Sequence, residues 1–128
     1  HRNLIVLGLL WKGIANYAKE HGARYLIGCS SLSSQDAAAG ATAYTEMCRK
    51  GNLVAAAWQT QPMPAFDCPL DQLVEEPVEI PKLLRAYLAI GAKICGPPAL
   101  DRQFRTIDFL TLLDLAAMTV VARERFLG

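Results

Sequence analysis

Residues 81–115 read PKLLRAYLAIGAKICGPPALDRQFRTIDFLTLLDL, and the spacing within them decides the fold class. Leu83, Leu84, Tyr87 and Leu88 fall on one face of a short helix. Pro81 suits its first turn, and Gly91 stops it. Lys93 to Cys95 begins a strand. Pro97-Pro98 forbids a regular ladder there, so that part is an edge, a bulge or an exit. A charged loop with Asp101, Arg102, Arg105 and Asp108 follows. Ile107 to Leu113 is a second apolar strand, ending at Asp114. Two β-segments joined by a charged loop build one wall of a site.

Upstream, Leu4 to His21 reads as a helix, with Leu7, Leu10, Ile14, Tyr17 and Ala18 at helical spacing and Gly22 as its stop. Gly8 and Gly13 weaken this helix by roughly 1 kcal/mol each relative to Ala, which points to close backbone packing or close ligand approach. Arg24 to Cys29 reads as a short strand buried on both faces, and Ser30 to Ser34 as a hydroxyl-rich turn. Asp36 or Ser34 then caps an Ala-rich helix running to Lys50, closed by Gly51-Asn52. Leu53 to Gln59 is a strand or an extended lead-in. Gln61 to Pro81 holds five prolines and the acidic run Asp71, Glu75, Glu76 and Glu79, the marks of a long irregular connection. Ala116 to Phe126 reads as a terminal helix. The order of helices and strands predicts an α/β domain, not a helical bundle.

The bulk numbers narrow the function. At 128 residues the chain suffices for one domain, residues 1–128, with a modest core. It is 52% hydrophobic, with a mean hydropathy of +0.20. That predicts apolar surface covered by a partner, a lipid chain or a missing piece of the fold. A net charge of +1 leaves no footprint for nucleic acid and no polybasic membrane patch. Cys29, Cys48, Cys68 and Cys95 are far apart, which argues against zinc and for buried free thiols in a cytoplasmic protein. No run approaches the ~18 apolar residues of a membrane span. His1 is not a start methionine, which predicts that the chain begins inside a longer protein.

Two segments carry a resemblance. The run Tyr87-Leu88, Gly91-Ala92, Cys95-Gly96-Pro97-Pro98-Ala99, Asp101, Phe104, Asp108-Phe109 and Leu112-Leu113-Asp114, together with residues 1–31, resembles the ornithine-acyl-carrier-protein N-acyltransferases. These are the "hemolysin-like" branch of the GNAT-type acyltransferases, and the likeness is to their C-terminal half. It implies a GNAT-like α/β fold with a mixed sheet flanked by helices. It also implies transfer of a 3-hydroxyacyl chain from acyl carrier protein to the α-amine of ornithine, in ornithine-lipid synthesis. The donor is then an acyl-4'-phosphopantetheine, on a carrier protein or on coenzyme A, with no permanently bound cofactor and no metal.

The same resemblance assigns roles. Arg2, Asn3, Leu7 and Gly8 fall where GNAT folds hold the donor's pantetheine and phosphate at a helix start, where free N–H groups and the dipole favour an anion. The usual small residues are replaced here by Ile5 and Leu7, and Gly8 comes late. That pattern is more compatible with a carrier-bound donor than with a coenzyme A pyrophosphate. Tyr44 is the candidate general acid for the leaving thiolate, against a packing role among alanines. Ser30 and Ser31, just past the strand, are candidate substrate contacts; with no G-x-S-x-G elbow, a serine hydrolase is rejected. Asp101, Arg105 and Asp108 offer carboxylates and a basic group to a cationic amino acid, against an ion pair of Asp108 with Arg102 or Arg105. His21 is read as a ring meeting the helix dipole. The expected partners are acyl carrier protein, a small amino acid, and a missing N-terminal half or a second copy, with peripheral contact at the inner membrane face. Alternatives are a related enzyme using acyl-coenzyme A or another amine, and a non-catalytic acyl- or protein-binding module. A cytolysin is disfavoured by the lack of a membrane-inserting hairpin or helix.

Overall fold

The apolar run at the end of the quoted stretch folds as a nine-residue strand whose side chains alternate strictly between two environments. In the computed structural model, which describes residues 2–117 (backbone only at residues 2–8, 10 and 11), Ile107, Phe109, Thr111 and Leu113 are buried, and the residues between them are half-exposed. That period-two pattern fixes the register, because a slip of one residue would exchange the faces.

The elements are α1 (Arg2–Glu20), β1 (Tyr25–Leu32), α2 (Ala37–Arg49), α3 (Lys82–Ala89), β2 (Lys93–Ile94), β3 (Ala99–Asp101) and β4 (Thr106–Asp114). β4 is the centre of the sheet, with β1 along one side and β2 and β3 along the other. The expected α/β class with a helix-flanked sheet is present. All three ladders are antiparallel, and parallel pairing is confined to the bridge between Leu53 and Ile94. Residues 52–67 cover the β2 and β3 edge. Ile94 N–H donates to Asn52 O, Thr60 N–H donates to Cys95 O, and Asp67 bridges to Ala99. Gly96 is required there, because a Cβ would collide with the Thr60 carbonyl.

Each helix ends as its glycine predicts. Gly22, Gly51 and Gly91 all have positive φ. The next N–H in each case reaches back five residues: Ala23 to Ala18 O, Asn52 to Met47 O, and Ala92 to Tyr87 O. Asp36 caps α2 by accepting from Ala38 N–H at 3.0 Å. The helices cover the buried face of the sheet. Ala43 and Met47 of α2 and Leu84 of α3 pack on Ile94, Leu100, Ile107 and Phe109. Ala18 of α1 joins Ala92, Leu113 and Leu115, with Leu26 and Tyr87 at the margin. Fully burying a side chain such as Phe109 stabilises by about 1.5–3 kcal/mol.

Several expectations change. β1 runs through Ser30 and Ser31 to Leu32, and all its residues except Leu26, Ser30 and Leu32 are exposed, so it is not buried on both faces. Its register with β4 pulls the hydroxyl residues into the ladder, and the turn begins after them. Leu53 to Gln59 contributes only one bridge and a 3-10 turn, Ala56–Trp58. Pro97-Pro98 interrupts the ladder, as expected, but β3 follows and makes the charged loop a tight hairpin turn, residues 102–105. Of the cysteines, Cys68 and Cys95 are buried, Cys48 is intermediate and Cys29 is exposed; all four are free thiols. The terminal helix expected over residues 116–126 falls largely outside the described residues.

Candidate functional site

β1 presents two hydroxyls to two opposite faces. Ser30 pairs with Phe109 and Ser31 with Asp108 in the antiparallel ladder. Ser31 therefore shares a face with Asp108, where Ser31 Oγ donates to Asp108 Oδ1 at 2.7 Å. Thr106 Oγ1 donates to the same oxygen at 2.7 Å. Two hydroxyl donors on one oxygen fix the carboxylate and leave Oδ2 without a hydrogen-bond partner among the described residues. The ion pair weighed for Asp108 is absent there: Arg102 instead donates to Ala65 O at 3.4 Å.

The rest of the predicted charged loop is structural. Asp101 Oδ1 accepts from Gln103 N–H and Phe104 N–H, each at 3.0 Å, and so closes the hairpin turn. Arg105 takes a left-handed φ of 58° at its end and holds its guanidinium at the surface, one residue before the Thr106–Asp108 cluster. Gln35 ties the turn to the α2 approach by donating to Asp101 O at 3.1 Å and Thr106 O at 3.3 Å. Sequence reasoning missed Thr106 and Gln35. The position of Thr106 two residues before Asp108, on one strand face, was the available signal.

On the other face, Ser30 is 4% and Thr111 7% exposed. Thr111 Oγ1 lies 3.0 Å from Phe109 O and 3.5 Å from Ser30 Oγ. This hydroxyl pair is part of the wall of a pocket of about 250 Å³, together with Leu26, Gly28, Tyr87 and Ala92. Burial pushes the Tyr87 phenol above its ordinary value, so it stays a proton donor at neutral pH. Tyr87 was read only as one residue of an apolar helix face. Its place at a helix C-terminus, five residues before Ala92, gave no chemical signal.

Tyr44 stands elsewhere. It is half-buried against the core formed by Met47, Leu84 and Ile107, and it does not line the pocket of Ser30. Burial first, and the Cys48 thiol one turn on second, push its phenol up. His21 has the structural role expected of it: its Nδ1 is 2.9 Å from Tyr17 O at the end of α1, and its ring stacks on Tyr17 at 4.1 Å. Arg2, Asn3, Leu7 and Gly8 lie within α1, and the side-chain contacts assigned to them fall outside what is described. Gly13 meets nothing within 4 Å where a Cβ would stand, so close helix packing is not its reason. Among the described residues no cluster of His, Cys, Asp or Glu suits a metal ion, and no helix is long and apolar enough to cross a membrane.

The chain is 28% identical over 135 residues to an L-ornithine N(alpha)-acyltransferase of Rhodobacter capsulatus, a match over 97% of this chain and 49% of that protein. It is 25% identical over 125 residues to a protein of the same name from Agrobacterium fabrum, over 92% of this chain and 42% of the other. A third, from Rhizobium meliloti, is 25% identical over 126 residues, with 93% and 42% covered. The chain thus spans about half or less of the length of these curated relatives. No family model matches it, and no solved structure matches it. The resemblance carried by residues 1–31 and 81–115 and the printed names of these relatives point to the same family.

Proposed function

We propose that the protein moves an acyl chain from a phosphopantetheine thioester to the α-amine of ornithine, the first acylation in making an ornithine lipid. The observation that carries this reading is that four relatives of one printed name each match at least 90% of the chain. The donor is a 3-hydroxyacyl carrier protein, in keeping with the replacement of small residues by Ile5 and Leu7. Its phosphate is assigned to the first turn of α1, near Arg2 and Asn3.

In this reading the α-amine attacks the thioester carbonyl directly. The tetrahedral oxyanion collapses, the C–S bond breaks, and the thiolate takes a proton. A phenol is well matched to a thiolate of similar basicity. We assign the proton to Tyr87 in place of Tyr44, because Tyr87 borders the pocket that holds the Ser30 hydroxyl. Asp108, whose carboxylate Ser31 and Thr106 fix, and Arg105 do not line this pocket, and Asp108 lies on the other face of the sheet, out of reach of an amino acid whose α-amine attacks beside Ser30. Among the described residues the pocket of Ser30 is lined by no carboxylate and no imidazole, and the base that accepts the amine proton is assigned to none of them.

The test is thiol release by the protein at its natural full length, with 3-hydroxyacyl carrier protein or acyl-coenzyme A as donor, with and without ornithine. Ornithine-dependent release from the carrier protein is expected. Tyr87→Phe is expected to lower kcat by about 10²–10⁴-fold, while Tyr44→Phe and, on the other face of the sheet, Asp108→Asn stay near wild type. Release with another amine alone would move the acceptor. Absence of release with any amine from a folded protein would leave an acyl-binding module.

A further inference from the structure

The pocket beside Ser30 does not end at α3. It shares Ile14 and Leu26 with a second pocket of about 420 Å³ that runs on between α1 and the start of β1. The second pocket is walled by Leu9, Gly13, Ala18 and Ala23, and among its described side chains the one polar atom is the Tyr17 phenol oxygen. Leu9, Ile14 and Tyr17 are 67%, 45% and 64% exposed, an apolar strip that a helix of this length ordinarily turns inward. The other described polar side chains, Cys29, Ser30, Tyr87 and Thr111, line the pocket of Ser30. Thr111 has one proton and gives it to the nearer acceptor, Phe109 O at 3.0 Å. The Ser30 hydroxyl, 4% exposed, is left to face the pocket.

Two glycines create the space. Gly13 in α1 and Gly28 in β1 line the two pockets, and a Cβ at either position would meet nothing within 4 Å. Gly13 is unfavourable in a helix and Gly28 in a strand. Neither is needed for a close approach, and Gly28 lies directly across from Thr111 in the ladder. Their missing side chains are the volume of the trough.

We propose that the acyl chain of the donor lies in this trough, its tail passing over Gly13 between α1 and β1 and its carbonyl end at the Ser30–Thr111 hydroxyl pair. The inference rests on the acyl-transfer reading and adds where the chain lies, which way it points and what limits its length. The end over Gly13 offers a thioester only the Tyr17 phenol, and the hydroxyl end would leave a methyl terminus against polar atoms, so the direction follows. Each methylene kept out of an apolar site weakens binding by about 0.8 kcal/mol, or about fourfold.

The test is the chain-length profile of thiol release by the full-length protein, from short to long acyl donors, for wild type, Gly13→Leu and Gly28→Val. Displacement of cis-parinaric acid, a long fluorescent fatty acid, is measured in parallel. Both substitutions place a favoured residue in open space, so the thermal midpoint should not fall. Gly13→Leu is expected to leave the shortest donors unchanged and to weaken the longest on the order of 50-fold, the loss of three methylenes. Gly28→Val, nearer the hydroxyl pair, should move the cut-off to shorter chains. An equal loss at every length, or an unmoved profile in both folded variants, overturns the trough while leaving acyl transfer intact. Parinaric acid bound by wild type and lost in Gly13→Leu, with no turnover of any thioester, would keep the trough and remove the acyl-transfer reading.

Discussion

Ser30 and Ser31 are neighbours in the chain and opposites in surroundings. Ser30 is 4% exposed, against Thr111 on the face that α1, α2 and α3 cover. Ser31 is exposed and donates to Asp108 on the face they leave open. On that open face Ile27 is 65% exposed, and Leu110 and Leu112 are only half-buried. The covered face has its core already, so its chemistry is confined to the one gap between α1 and β1. The open face has its polar chemistry in place and an apolar surface that the described residues do not cover. The same strand thus faces the core on one side and a hydroxyl-bound carboxylate on the other, and substitutions should separate the two.

The largest difference is expected from matched truncations. Phe109→Ala removes a side chain 1% exposed in the centre of the covered face and should destabilise by about 3–5 kcal/mol. Ile27→Ala on the open face should stay within about 0.5 kcal/mol, as read from denaturant unfolding of the full-length protein. A loss at Ile27 comparable to that at Phe109 would break the contrast, because it would mean that the open face is covered in the working protein.

The glycines sharpen the same contrast at smaller magnitude and with opposite signs. A Cβ at Gly40 would lie 3.0 Å from Ile107 Cγ2 and 3.2 Å from Cys68 Sγ. One at Gly96 would meet the rigid Thr60 backbone. Alanine at either should destabilise by about 1–3 kcal/mol. Gly13→Ala, in open space on a helix, should stabilise by about 0.5–1 kcal/mol. Thermal midpoints that fall for all three would show that Gly13 is held by a contact, and the trough would then be packed.

Much of the fold was legible because local signals agreed with the tertiary outcome. Gly22, Gly51 and Gly91 each stop a helix where expected, Asp36 caps α2, and the apolar run of residues 107–113 lies in the central strand. The failures have a common physical cause. Ser30 and Ser31 read as a turn by composition, but the ladder to β4 supplies their backbone partners. Pro97-Pro98 reads as an edge, a bulge or an exit with no regular ladder, and the ladder is indeed interrupted there; that Ala99 resumes it was not legible. The ion pair weighed for Asp108 gave way to Ser31, a cross-strand hydroxyl that is invisible without the register. Tyr87 and Tyr44 are both tyrosines on amphipathic helices, and only the packing of α3 beside Ala92 distinguishes them.

The smallest effect is expected at the other end of the open face, where a charged group is structural. Asp114 pairs with Arg24 across the ladder ends, Nε to Oδ1 at 3.1 Å and Nη2 to Oδ2 at 3.2 Å. The hydrogen bond from Arg24 holds the Asp114 carboxyl below its ordinary value, aided by the N–H of Ala116. A carboxyl lowered on folding adds stability above its unfolded pKa, near ~4, and loses it as pH falls through the folded value. Asp114→Asn should therefore reduce the thermal midpoint slightly at pH 7, and the gap from wild type should close as the pH drops below about 4. Arg24 is well exposed and Asp114 partly so, so salt should shrink the gap as well. The variant should leave KM for ornithine unchanged. If Asp114→Asn raised that KM instead, the amino acid would bind on the open face, and the assignment of the reaction to the pocket of Ser30 on the covered face would fail.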